Sequence, residues 1–335
     1  MSQNITENTS AEEQKPQEKP RFHINPHIII LSVIAIVFIV IAYKLYKWDK
    51  GVPSDYDPDY QTSEFDIEVL DTIIPLAPDK LEGHEDDGVT TILCLGDDPF
   101  ARGRDEASGL ANQIAAKSGA TVYNGSFEGS TISAVNASYY ETYWRDAFCL
   151  PYLVNTLCTG NFTEITTAAQ YSENEDYLQT VEMLEKLDMN TVDILCIMYD
   201  GIDYVEKRTS DDPNDPYSVI AYTGALRSAI TQIQETYPFI RIVMMSHTFC
   251  CSINDEGNYQ NGDRADLGNG TLSHYLRKAL DVTGDCGVSL IDNFYGSVNE
   301  DNYLDYMVDY IHFNEAGQEL LAERFVECIL PDKSE

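Results

Sequence analysis

The chain has 335 residues, with 21 basic against 56 acidic side chains and a formal net charge of −35. That length suits one large domain or two small ones, and 43% apolar residues are enough for a real core. Nucleic acid and anionic lipid headgroups repel a surface this acidic, so a nucleic-acid-binding role is excluded. The charge is uneven. Residues 51–335 carry 15 basic and 51 acidic residues, whereas residues 1–50 are nearly balanced.

In chain order, residues 1–25 are polar and rich in Glu, Gln, Asn and Lys, the composition of a disordered tail. Ile28–Tyr43 (IIILSVIAIVFIVIAY) follows with no charge, Gly or Pro. With its aromatic and lysine flank it predicts a transmembrane anchor over 26–48. A buried core helix has no need to be apolar on every face. A cleaved signal peptide would end in small residues, not in Tyr-Lys-Leu-Tyr-Lys. Lysine and arginine flank both ends equally, so the count of basic residues leaves the orientation open. Residues 49–88 read as an acidic, Pro-containing linker, with part of Phe65–Leu76 apolar enough to pack on the domain.

The remainder, 89–331, alternates strand and helix. TTILCLG, ATVYNGS, TVDILCIMYDG, IRIVMMS and GVSLIDN read as five strands. Helical spacing covers Glu106–Lys117, Asp176–Leu187, Ser218–Thr236, Ser273–Val282 and Asn314–Ile329. Strands apolar on both faces and separated by helices predict a parallel sheet covered on both sides. In such sheets ligands bind beyond the carboxyl ends of the strands. Residues 134–189 are longer than a plain crossover and hold Tyr139, Tyr140, Tyr143, Trp144, Arg145, Tyr152 and Phe162. They are expected to form an extra helical hairpin with its own small core, the alternative being an aromatic wall over the site. Cys94 and Cys196 belong to strand cores, and Cys149 and Cys158 are spaced to pair if the domain is extracytoplasmic. No cysteine–histidine spacing suggests zinc, and no cofactor is expected.

Four strand-end segments stand out: Leu95-Gly96-Asp97-Asp98, Asn124-Gly125-Ser126-Phe127-Glu128-Gly129-Ser130, Asp200-Gly201-Ile202-Asp203-Tyr204, and Asp309-Tyr310-Ile311-His312-Phe313-Asn314. In that order, over about 89–330, they resemble the conserved blocks of the SGNH/GDSL hydrolases. The resemblance implies a three-layer α/β/α sandwich and acyl-ester hydrolysis. It makes His312 the general base, oriented by Asp309, with the Gly129 N–H and the residue at 203 holding the oxyanion. It also favours a single-pass protein of the cell membrane with the domain outside, and acylated glycans or small esters as ligands.

Two positions depart from the family pattern. Asp98 replaces the nucleophilic serine and Asp203 falls at the asparagine position. A carboxylate attacking an ester gives an anhydride, and an acceptor in the oxyanion hole replaces a donor. Three readings follow. Asp98 and Asp203 share a proton and hydrolysis persists; or Asp98, Asp203 and His312 bind a divalent cation; or an inactive cleft binds a glycan or protein partner. Ser126 and Ser130 are the candidate substitute nucleophiles.

Overall fold

The computed structural model describes residues 26–49, 68–85 and 87–330. The expected tail over 1–25 and the part of the expected linker over 50–67 lie outside the described residues. The chain divides into two units, Met1–Asp66 and Ile67–Glu335.

In the first unit Pro26–Asp49 is one helix of 24 residues. Its described large apolar side chains are exposed, Phe38 at 69% and Ile39 at 67%. Among the described residues no helix is long and apolar enough to cross a membrane. The predicted anchor is met as a helix.

The second unit is built on strands β1 (Thr91–Gly96), β2 (Thr121–Asn124), β3 (Ile194–Met198), β4 (Arg241–Met245), β5 (Cys251–Ile253), β6 (Tyr259–Asn261) and β7 (Ser289–Ile291). Five of them form a sheet in the order β2-β1-β3-β4-β7, and every neighbouring pair is parallel. β5 and β6 make a separate antiparallel hairpin. Alternate residues of β1 and β3 enter opposite cores, because successive side chains of a strand point to opposite faces. Leu93, Leu95, Leu195 and Ile197 face one core with the helices Leu150–Thr159, Tyr222–Thr236 and Leu272–Cys286. Ile92, Cys94, Cys196 and Met198 face the other with Leu110–Ser118 and Glu315–Ile329. The sheet is thus flanked by helices on both faces, as its apolar strands predict.

Two details depart from expectation. The helix expected over Glu106–Lys117 starts at Leu110, because Gly103 takes a left-handed φ of 67° and 103–109 close into turns. The 134–189 stretch has no private core. Its Phe148, Leu153, Val154, Ile165, Val181 and Leu184 belong to the same buried cluster as Leu93 and Leu195. The described linker residues do pack on the domain. Thr72 exchanges backbone hydrogen bonds with Leu290 at 2.8 Å in each direction, which extends the sheet edge beside β7. All eight cysteines are free, so the expected pairing of Cys149 with Cys158 is absent.

β1 and β3 approach closest at Gly96, whose added Cβ would lie 1.9 Å from the Met198 carbonyl oxygen. Backbone cannot yield to that contact as a side-chain tip would. Gly96→Ala is therefore expected to destabilise the domain by about 1–3 kcal/mol, read as a lowered denaturation midpoint. A midpoint equal to wild type would show that the strand ends separate freely.

Candidate active site

The site forms where β1 ends. Asp98 opens a short helix, Asp98–Ala101, held by a hydrogen bond of 2.7 Å from Asn124 Nδ2 to the Phe100 carbonyl. The loop after β2 continues along β1, with Gly125 N–H bonded to the Cys94 carbonyl and Phe127 N–H to that of Gly96. Arg104 donates to the Ser126 carbonyl at 2.6 Å and to the Thr180 hydroxyl, fixing that loop from outside. Gly129 then takes a φ of 68°, a conformation natural to glycine, and its N–H donates to Asp98 Oδ1 at 2.6 Å.

His312 arrives from the far end of the chain. Met307 and Phe313 form an antiparallel bridge that closes its loop, and Asn314 caps the last helix through the Gly317 N–H. Asp309 Oδ1 accepts the backbone N–H groups of Ile311 and His312 at 2.9 and 2.8 Å, while Oδ2 meets His312 Nδ1 at 2.6 Å. The other ring nitrogen, Nε2, lies 2.8 Å from Asp98 Oδ2. The four residues Asp98, Gly129, Asp309 and His312 are therefore brought together as the sequence predicts.

The electrostatics follow. Burial by itself lowers the His312 pKa, but its hydrogen bonds to Asp98 and Asp309 outweigh burial and raise it above the ordinary value. Burial pushes Asp309 up, and the ring and two backbone N–H donors bring it below the usual carboxylate range. The two carboxyl groups thus favour the imidazolium form of His312.

Asp203 is not part of this group. It is 2% exposed and accepts from Ile132 N–H at 2.9 Å, Ser133 N–H at 3.0 Å and the Ser133 hydroxyl at 2.5 Å. It ties the 131–134 loop to the short helix Ile202–Val205 and takes no place in an oxyanion hole. The predicted sharing of a proton between Asp98 and Asp203 fails for the same reason. The cation reading loses its ligand set too, and among the described residues no group of three or more His, Cys, Asp or Glu side chains is arranged to hold a metal ion.

Asp200 takes the place expected of Asp203, being the second residue beyond the end of β3. Its N–H donates to Asp97 Oδ1 at 3.0 Å. Burial, followed by the charge of Asp98, raises its pKa to about 7. Asp97 is wholly buried with no hydrogen-bond partner for Oδ2, and burial together with Asp200 and Asp98 pushes its pKa well above the usual range. IMYDGIDY offers two aspartates three residues apart, and only the end of the strand decides which one faces the site. Ser130 donates to the Gly96 carbonyl at 3.2 Å and the Ser126 hydroxyl is buried without a partner. Neither is bonded to His312.

A cleft of about 560 Å³ opens beside Gly129 and Ser130, walled by Trp144, Phe148, Tyr177 and Arg145. The Arg145 guanidinium sits 5.6 Å from the Trp144 ring centroid, and Tyr177 donates to the Glu128 carbonyl. Burial raises the Tyr177 phenol to about 12. Gly129, which lines the cleft, is bonded to Asp98, so the cleft and the carboxylate adjoin. The aromatic part of 134–189 is thus both core and wall.

The raised groups, Asp97, Asp200 and His312, set a pH dependence of one sign. A carboxyl raised from 3.8 to about 7 binds more protons folded than unfolded across that interval, so stability falls as pH rises through it. His312, also raised, contributes stability that is full below about 6.5 and lost as pH climbs through its folded pKa. Denaturation midpoints should decline from pH 5 to 8, and Asp200→Asn should flatten the decline. An unchanged slope in that variant would remove Asp200 as its source.

No family model matches the chain, and no curated protein matches it. Among solved structures, one aligns at a TM-score of 0.50 with 20% identity over 73% of this chain and 97% of its own. A GDSL-like lipase described from Parabacteroides merdae aligns at 0.42 with 15% identity, over 73% of this chain and 96% of that one. A carbohydrate acetylesterase from Sinorhizobium meliloti aligns at 0.41 with 13% identity, over 71% and 97%. At this identity the first of these alignments shows a likeness of fold alone.

Proposed function

We propose that the domain is a hydrolase of small O-acyl esters whose reacting groups are Asp98, His312 and Asp309. The observation that carries this reading is the imidazole oriented at both nitrogens beside an open cleft, a geometry suited to proton transfer. The serine route is closed, since the carboxylate at 98 has no hydroxyl to give. Asp98 instead takes a proton from an attacking water, and His312 returns one to the departing alkoxide. Acylated glycans are the proposed substrates, because Trp144 and Tyr177 offer faces on which a sugar ring can stack.

We further propose that the helix Pro26–Asp49 tethers the protein to the cell membrane with the domain extracytoplasmic. What supports this is the uncharged run Ile28–Tyr43 and the exposure of its described apolar side chains. Protease added to intact cells should then remove the domain. Its survival while a known surface protein is digested would overturn the outside placement.

One observation favours a second reading, a cleft that binds its glycan or partner without turnover. The Gly129 N–H, the oxyanion donor implied by the family resemblance, is already bonded to Asp98. Hydrolysis of p-nitrophenyl acetate and acetylated glycans by the full chain in detergent, with His312→Ala alongside, separates the two. Turnover lost in that variant supports the hydrolase, and turnover equal in both moves the reading to binding. Asp98→Ser frees the Gly129 N–H and sets a hydroxyl beside His312. It is expected to raise acetate-ester turnover by about 10²-fold and to label with a fluorophosphonate. Absence of labelling would show that position 98 is not aligned for attack.

A further inference from the structure

We propose that Asp98 acts as a covalent nucleophile at saturated carbon, so that this site opens terminal epoxides to 1,2-diols through an alkyl ester of Asp98. The inference goes beyond ester hydrolysis and shares with it only the premise that the Asp98–His312 cleft holds substrate.

The argument starts from what a carboxylate does well. Attack on an ester carbonyl yields an anhydride, more reactive than the ester consumed. Attack on a strained saturated carbon yields an ordinary ester, which water can cleave. The geometry provides for both halves of that sequence. Among the described residues Asp98 Oδ2 accepts one hydrogen bond, from His312 at 2.8 Å, which leaves a lone pair for attack. Oδ1 is already held at 2.6 Å by the Gly129 N–H. In an acyl transfer to a serine that donor would serve the substrate oxygen. Here it serves the carboxyl group itself, which is the atom that becomes an oxyanion when an ester of Asp98 is hydrolysed. The imidazolium is the right partner for the first half, because an opening epoxide needs a proton donor. The cleft beside Gly129 offers Trp144, Phe148 and Tyr177 to an apolar substituent.

The steps balance. Asp98 Oδ2 forms a bond to the terminal epoxide carbon, that carbon–oxygen bond breaks, and the freed oxygen takes the proton of His312 Nε2. Neutral His312 then removes a proton from water as its oxygen adds to the Asp98 carboxyl carbon, placing negative charge on Oδ1 under the Gly129 N–H. The intermediate expels the diol oxygen, which His312 protonates, and the proton of the regenerated acid returns to the imidazole. Epoxide and water are consumed, diol is formed, and one oxygen of Asp98 now comes from water.

The test uses the full chain in detergent with styrene oxide and 1,2-epoxyhexane in ¹⁸O-labelled water. The expected result is diol formation at a rate that falls to background in Asp98→Asn, a near-isosteric variant whose folding is checked by circular dichroism. Under single turnover the diol should carry unlabelled oxygen, and the Asp98 peptide should gain one ¹⁸O by mass. In His312→Ala, which loses the acid of the first half as well as the base of the second, diol formation should also fall to background. Diol labelled in the first turnover with Asp98 unlabelled would overturn the covalent step. No diol from either epoxide with the unaltered chain would overturn the proposal outright. Acetate-ester turnover measured in parallel keeps the outcomes apart, since esters cleaved without epoxide opening would sink this inference and leave the hydrolase reading standing.

Discussion

The site depends on one arrangement, an imidazole held between two carboxylates. His312 meets Asp309 through Nδ1 at 2.6 Å and Asp98 through Nε2 at 2.8 Å. The three residues come from opposite ends of the domain. Asp98 is fixed by the end of β1, and Asp309 by two backbone N–H groups of its own loop. Hydrogen bonds to both carboxyl groups raise the His312 pKa despite burial, which favours the acid form of the ring. In a serine hydrolase, by contrast, a neutral histidine faces a hydroxyl.

Beneath the triad, Asp97 and Asp200 press two further carboxyl groups into a space without solvent. Two charges cannot be kept there at low cost, so the pair holds protons at pH values where exposed aspartates hold none. The carboxyl ends of parallel strands collect these groups, because every loop that leaves the sheet on that side converges on one edge. A protein of net charge −35 thus contains a centre whose acidity is partly neutralised by the fold itself.

The cleft beside the triad owes its shape to packing. Phe148 packs tilted against Phe127 and edge-on to Tyr177 with centroids 4.6 and 4.7 Å apart, and Trp144 meets Phe148 edge-on at 6.1 Å. Phe148 is buried in the main core, so the wall is continuous with the scaffold. Arg104 ties the same region to the Gly129 loop through Ser126 and Thr180. A site built this way is presented on a rigid surface, with little reorganisation needed to receive substrate.

The sequence by itself determined the alternating architecture, since strand runs apolar on both faces can only be buried between helices. The group at 98, 129, 309 and 312 was legible only through the resemblance of four strand-end segments, in their order, to the SGNH/GDSL hydrolases. Local spacing gave the Asp309–His312 pair and the turn at Gly96-Asp97-Asp98, but not their meeting. Tertiary structure decided what depends on where a strand stops and which way a side chain turns. Asp203 went to cap the 131–134 loop, and Asp200 took the place beside Asp98, a choice set by the last paired residue of β3 at Met198. Whether 134–189 kept a core of its own was likewise open, because aromatic residues serve a core and a cleft equally well. Only contact with the sheet settled it, and there the larger apolar surface won.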